Sequence, residues 1–248
     1  MSVQLFVSST SIKQGQLELR DDEHHYLSHV RRLGVGDWVV LFSGAGRRAS
    51  AQIKSIESSA TQLEVGEPED LPKPSFSLEI AVALLKGDHM DQAITKMVEL
   101  GVATIRPIIT ERTIVRLKGA RLLQKQKRFE SLVTAAARQS QNPHPATVAA
   151  IEPLSALLAR PHQAEVKLIP DVGDGTLALS KEMAKREHPP GSALVLIGPE
   201  GGFTEAEVSA ACAAGCVAVS LGQRVMRAET ACMAMASIMA FAYGDVGS

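Results

Sequence analysis

Cysteine is scarce in this chain and no hydrophobic run is long, two absences that narrow the field before any motif is read. The three cysteines, Cys212, Cys216 and Cys232, cannot all pair, and none stands in a CxxC spacing with a histidine partner downstream. Neither a disulfide framework nor a metal site is indicated, and small core residues are the expectation. The most apolar segment, residues 231–243, is too short to span a bilayer, and residues 1–10 lack the basic start and apolar stretch of a signal peptide. A soluble, cytoplasmic protein with no membrane contact is expected. A surplus of either charge is also missing: 26 Lys and Arg face 27 Asp and Glu, for a net charge of −1 and a pI near 6.7. Phosphate neutralisation needs a surplus of Lys and Arg at the contact face, so indiscriminate nucleic-acid binding is excluded and any RNA site must be local.

What remains is ordinary globular material, 45% hydrophobic and 21% charged with a mean hydropathy of +0.05. A length of 248 residues suits one large domain, or a small one joined to a medium one. Up to about residue 70 the chain shows short alternating or β-branched runs at 5–7, 16–19, 38–42, 51–56 and 62–65, punctuated by glycine turns at 34–37 and 44–46. A small β-barrel is the economical reading. One helix interrupts it, with Asp21 and Asp22 able to cap its start, Leu27, Val30 and Leu33 on one face, and Gly34 at its end. The segment Leu71-Pro72-Lys73-Pro74 reads as a linker, which separates residues 1–71 from residues 75–248.

Beyond the linker strand-like and helical runs alternate: 76–85, 88–100, 103–109, 120–140, 147–151, 166–169, 177–187, 193–197, 205–214, 217–221 and 229–243. Such alternation predicts an α/β domain with a mostly parallel sheet covered by helices on both faces. Ligands in such sheets sit beyond the carboxyl ends of strands, where the two most unusual stretches fall.

In the first stretch, the apolar run Leu194-Val195-Leu196-Ile197 enters Gly198-Pro199-Glu200-Gly201-Gly202-Phe203, and Thr204 with Glu207 makes a capping box that starts a helix. Glycine permits positive φ and lets a ligand touch the backbone, so the design is a ligand-binding turn. No Lys-Ser/Thr follows and the spacing is not GxGxxG, which removes the main support for nucleoside triphosphate and dinucleotide sites. The bland alternative is a tight strand-to-helix turn with no ligand. In the second stretch, Leu221-Gly222-Gln223-Arg224-Val225-Met226-Arg227-Ala228-Glu229-Thr230 follows another strand. Val225 and Met226 are apolar in a loop, as the wall of a purine pocket would be. Arg227 and Glu229 present opposite charges at a helix start, an arrangement that a surface ion pair also explains.

Together these stretches resemble the signature of the RsmE family within the SPOUT methyltransferases. The likeness extends to Lys86-Gly87-Asp88-His89-Met90 with Lys96 and Glu99-Leu100-Gly101-Val102, to Pro107 with Thr110-Glu111-Arg112-Thr113, and to Val30, Arg32-Leu33, Gly36-Asp37 and Leu41-Phe42 with Gly44. The resemblance implies a PUA-like, RNA-binding barrel followed by a trefoil-knotted methyltransferase domain, in a homodimer whose active sites lie at the subunit interface. It implies S-adenosylmethionine as cofactor and N3 of a uridine in 16S ribosomal RNA, within the small ribosomal subunit, as target. Cofactor contacts carried over by position are Leu196, Ile197, Gly198, Glu200, Gly201 and Gly202 in one loop, Leu221, Gly222, Val225, Met226 and Arg227 in another, and Pro170 in a third. Arg227 is the candidate catalytic residue, stabilising the uracil anion, with Glu229 orienting it. RNA contacts are expected from Arg31, Arg32, Lys86, Arg112, Arg116 and Arg138, and a basic run continues through Lys118, Arg121, Lys125, Lys127 and Arg128.

One departure from the family pattern stands at Ala137-Arg138-Gln139-Ser140-Gln141-Asn142-Pro143, which is one residue shorter: either an arginine of the family is lost or Arg138 replaces it. Two rivals are a nucleotide-dependent transferase or dehydrogenase using the Gly198 turn for phosphate, and a non-catalytic ribosome-assembly factor.

Overall fold

The computed structural model describes residues 3–7, 12–115, 119–173 and 175–247. The chain divides into two compact units, Met1–Lys73 with Ala137–His144, and Pro74–Ala136 with Pro145–Ser248.

The first unit holds β1 (Val3–Phe6), β2 (Gly15–Arg20), α1 (Asp21–His25), β3 (Trp38–Phe42), β4 (Arg47–Ile56), β5 (Ala60–Val65) and β6 (Glu69–Asp70). Its sheet runs β1-β3-β4-β5-β2 with β6 paired to β4, and only the β1–β3 pair is parallel. Side chains alternate with period two along a strand, so Ala49, Ala51 and Ile53 of β4 and Leu63 and Val65 of β5 turn inward together. They meet Leu5, Leu19, Leu27 and Leu41 in one apolar cluster.

The helix of this unit departs from expectation. Asp21 and Asp22 lie inside its first turn, and Arg20 holds the N-cap position without a side-chain cap bond. After His25 the helix continues as a π turn over Tyr26–Val30. A π turn takes more residues per revolution than an α-helix, so the apolar face slips in phase. Leu27 is fully buried while Val30 is 58% exposed, and the helical segment stops before Gly34.

The second unit is built on β7 (Ser77–Ala83), β8 (Thr104–Ile109), β9 (Thr147–Val148), β10 (Glu152–Pro153), β11 (Val166–Pro170), β12 (Leu177–Ala178), β13 (Ser192–Ile197) and β14 (Val217–Ser220). All pairings are parallel, in the order β10-β8-β7-β13-β11-β14-β12, with β9 also on β8. Parallel strands require crossovers. These include α2 (His89–Glu99), α3 (Ala120–Ser140), α4 (Leu154–Leu158), α5 (Leu179–Met183) and α6 (Glu205–Ala213), and α7 (Ala228–Tyr243) ends the run. The expected helical run at 177–187 is shorter, because Leu177 and Ala178 pair with β14 at the sheet edge. The short α4 has no counterpart in the sequence reading.

Met90, Ala93, Ile94, Met97 and Val98 of α2 recur at helical spacing and are buried, and Gly101 ends the helix region at φ +75°. Helix α7 buries Cys232, Met235, Ala236 and Met239 and leaves Ile238 and Phe241 exposed. Helices α2 and α7 pack on one another. Among the described residues no helix is long and apolar enough to cross a membrane, and no group of three His, Cys, Asp or Glu could hold a metal ion.

Candidate functional site

Strands β13, β11 and β14 lie side by side and parallel, so their carboxyl ends open along one edge of the sheet. From β13 leaves the loop Gly198 to Gly202, from β11 the turn after Pro170, and from β14 the loop that carries Leu221 to Arg227. Pro170 is level with Val219, and the Asp171 N–H donates to the Val219 carbonyl at 2.9 Å. Sequence neighbours far apart are thus brought together by sheet order, at the place where α/β sheets bind ligands.

The next strands outward brace the glycine loop. After β7, the Lys86 N–H donates to Glu200 Oε1 at 3.0 Å. After β8, Arg112 Nη1 donates to the carbonyls of Gly201 at 2.7 Å and Phe203 at 3.2 Å. The capping box of α6 is present: the Glu207 N–H donates to Thr204 Oγ1, and Glu207 Oε2 accepts the Thr204 N–H at 2.9 Å. Glu207 Oε1 also accepts the Glu111 N–H at 2.8 Å, so one carboxylate caps a helix and ties down a neighbouring loop. The loop is held in place before any ligand arrives, which lowers the ordering cost of binding.

Glycine is needed at two positions for different reasons. A Cβ on Gly198 would lie 3.1 Å from the Gly202 carbonyl carbon and from the Phe203 nitrogen, where the loop folds back on itself. Gly222 has φ +115° with open space around it, so its backbone is bare to a ligand. Gly202, at φ +70°, is open in the same way.

Two clefts adjoin these loops. One of about 420 Å³ is lined by His89, Glu200, Val225, Met226, Arg227 and Glu229. The other, about 320 Å³, takes in Leu221 and Gly222 with Leu179, Ser180 and Met183. Leu196 and Ile197 are buried inside β13 and can offer only main chain. Val225 is 81% exposed, an apolar side chain with no core to explain it. Glu229 is buried in the first turn of α7, where the helix dipole favours a carboxylate. Its Oε1 lies 3.1 Å from His89 Nδ1. Two carboxylates, one guanidinium and one imidazole border the first cleft, a setting that disfavours a phosphate and accommodates a cation beside apolar groups.

The candidate RNA contacts are dispersed. In the first unit, the Arg31 guanidinium lies over the Tyr26 ring at 5.4 Å and its Nε donates to the Tyr26 hydroxyl at 2.8 Å. Arg32 is exposed, and Arg138 reaches Glu23 at 3.4 Å and the Phe6 ring at 5.7 Å. Lys86 and Arg112 are exposed in the second unit beside the glycine loop. Arg116 and Lys118 lie outside the described residues. Of the remaining basic run, Arg128 is paired with Asp91 of α2, and Lys125 sits 5.2 Å over the Phe129 ring. His89 is the site residue that the sequence reading did not single out. Its signal was a histidine opening the helix that comes next after a strand, across a loop with Gly87.

A parallel sheet with adjoining ligand loops at its carboxyl edge, following a small β-rich unit, defines an RNA methyltransferase: residues 72–240 match the RNA methyltransferase domain model and residues 19–65 the RNA methyltransferase PUA domain model. The chain belongs to the ribosomal RNA small subunit methyltransferase E family. It is 32% identical to the protein of that name from Synechocystis sp., over 93% of this chain and 75% of that protein. The Bacillus subtilis protein of the same name is 28% identical over 85% of this chain and 84% of its own length. Among solved structures, a ribosomal RNA small subunit methyltransferase E from Neisseria gonorrhoeae, bound to S-adenosyl methionine, superimposes with a TM-score of 0.86 at 29% identity, covering 99% of each chain.

Proposed function

We propose that this protein transfers a methyl group from S-adenosylmethionine to N3 of a specific uridine in 16S ribosomal RNA, working in the cytoplasm as a homodimer on the small ribosomal subunit. The observation that carries this reading is the convergence of three loops, from Pro170, Gly198 to Gly202 and Leu221 to Arg227, on one edge of the sheet in a chain of this family.

The residues present suit the cofactor. Bare backbone at Gly202 and Gly222 and the apolar side chains of Leu221, Val225 and Met226 fit an adenosine, and Glu200 and Glu229 favour a positive centre over a phosphate. Leu196, Ile197, Gly198, Gly201 and Pro170 contribute main chain or shape to the same loops. When bound, the cofactor supplies an electrophilic methyl group on a sulfonium.

The remaining work belongs to the chain. Loss of the N3 proton leaves negative charge on the flanking carbonyl oxygens of the uracil until N3 attacks the methyl group, and Arg227 at the start of α7 stabilises it. The first unit holds RNA through Arg31, Arg32 and Arg138 while Lys86 and Arg112 contact it near the site, and the target base is splayed out of its stack. The trefoil knot expected for this family gathers the same loops, and the exposed Ile238 and Phe241 of α7 belong to the dimer face.

The test is incubation of the purified protein with labelled cofactor and small subunits from a strain lacking the gene, followed by mapping of the modified base. Label at N3 of one uridine is expected, and absence of label, or label on another atom, refutes the assignment. At saturating cofactor, Arg227→Ala is expected to lower turnover by about 10²–10³-fold.

A further inference from the structure

On the reading just given, uracil N3 carries a proton that must leave before nitrogen can attack carbon. An acceptor has to come within hydrogen-bond reach of N3, about 2.6–3.2 Å. Among the side chains around the 420 Å³ cleft, Val225 and Met226 accept no proton and a guanidinium such as Arg227 is a donor only. Glu200 is tethered through its Oε1 to the Lys86 N–H, and among the described residues no third group orients its other oxygen as a base. The Glu229 side chain is only 11% exposed and faces His89 rather than open space.

His89 differs from all of these. Its side chain is 40% exposed, yet its Nδ1 is sealed from solvent with no aligned hydrogen-bond partner. The same Nδ1 lies 3.1 Å from Glu229 Oε1, so the contact has the distance of an ion pair without the angle of a good hydrogen bond. With Nδ1 turned to the carboxylate, Nε2 is the nitrogen left to serve the cleft, and imidazole is the side chain suited to proton transfer near neutrality. A base held by a third group through its other nitrogen is the arrangement general-base catalysis requires. Both α2 and α7 begin at this cleft, and their N-terminal dipole ends favour the negative charge that develops on the uracil as its proton leaves.

We propose that His89 is the catalytic proton acceptor for the uridine, and that Glu229 is its positioning residue. The N3–H bond breaks and the proton passes to His89 Nε2. The electron pair left on N3 forms the new N–CH3 bond, while the S–CH3 bond breaks with its pair kept by sulfur, which becomes neutral. The proton then leaves His89 to solvent. Among the described residues, the charged groups that line the cleft with His89 are Glu229 and Arg227 at the start of α7 and Glu200 on the glycine loop, and Asp88 precedes it in the chain.

The experiment is single-turnover methylation of unmodified small subunits from about pH 6 to about pH 9 by the wild type, His89→Gln, and His89→Gly with and without added imidazole. His89→Gln is expected to be slower by about 10²–10⁴-fold at neutral pH, with S-adenosylmethionine affinity by calorimetry little changed. The deficit should shrink as rising pH removes the N3 proton without help, and imidazole should partly restore His89→Gly. In the resting protein, nitrogen NMR of the His89 ring should show the Nδ1–H form, and Glu229→Gln should weaken that preference. Near-normal turnover of His89→Gln at neutral pH overturns the proposal. So does a deficit of equal size at every pH with no imidazole rescue, which marks a structural role. A wild type that leaves the subunits unmethylated counts against the functional reading instead, and the ring spectrum then still decides whether Glu229 orients His89.

Discussion

Gly198 and Gly201 stand three residues apart on one loop and meet different surroundings. A Cβ on Gly198 collides with backbone, which cannot swing away, whereas on Gly201 it meets the Arg112 side chain at 3.5 Å, an ordinary contact. Gly198→Ala is therefore expected to abolish cofactor binding measured by calorimetry, and Gly201→Ala to leave it within about threefold, a change well under the ~1.4 kcal/mol of a tenfold effect. The cysteines make a second residue-scale prediction. Burial pushes the Cys216 thiol up to about 11 and the Cys232 thiol up to about 12, from an ordinary 9.0. A thiolate is the reactive form, so a maleimide at neutral pH should label exposed Cys212 and spare the other two. The same shifts tie stability to pH: unfolded thiols ionise above about 9 while the folded ones keep their protons. Their contribution is complete below that value and is lost as pH climbs towards 11 and 12, which alkaline denaturant titrations would register as a falling midpoint. The glycines announced themselves in the sequence because few other constraints need them in such number. The Arg112 clamp did not, since its partners stand 89 and 91 residues away and nothing local distinguishes it from a surface cation.

At the scale of the element, the start of α6 was written in the sequence as Thr204 and Glu207, and both reciprocal bonds form. Thr204→Ala should cost about 1 kcal/mol in denaturant unfolding. Glu207→Ala should cost more, because it also frees the Glu111 N–H. Helix α2 was legible from apolar residues at spacing 3.6, and α7 from an unbroken run rich in Ala and Met after a strand. Met97 is fully buried, and Met97→Ala is expected to cost about 2–5 kcal/mol, by the transfer free energy of the lost atoms and the cavity left behind. The π turn at Tyr26–Val30 was not legible: periodicity arguments assume one residue spacing per turn, and Val30 falls off the buried face when that spacing changes. Short elements such as α4 and β12 escaped for want of enough residues to show any period.

For the molecule as a whole, a chain of net charge −1 has no surplus of cations to attract RNA indiscriminately, so its contacts must rest on individual groups, such as Arg31 and Arg32 in the first unit and Lys86 and Arg112 in the second. A ligand that binds only the folded chain should raise its stability by about 2.7 kcal/mol at a hundredfold excess over Kd. S-adenosylmethionine is expected to raise Tm accordingly, while ATP and NAD leave it unchanged; the reverse order would point to the nucleotide rivals. The residue pattern alone determined the alternation of strands and helices, the glycine-bearing turns and the family, because periodicity, turn chemistry and short motifs are local properties of a chain. Tertiary structure decided which strand ends became neighbours, that Arg112 and Lys86 brace the Gly198 loop, and that His89 meets Glu229 across a cleft. Those pairings depend on the order of strands in the sheet, a long-range outcome of packing that no window of sequence contains.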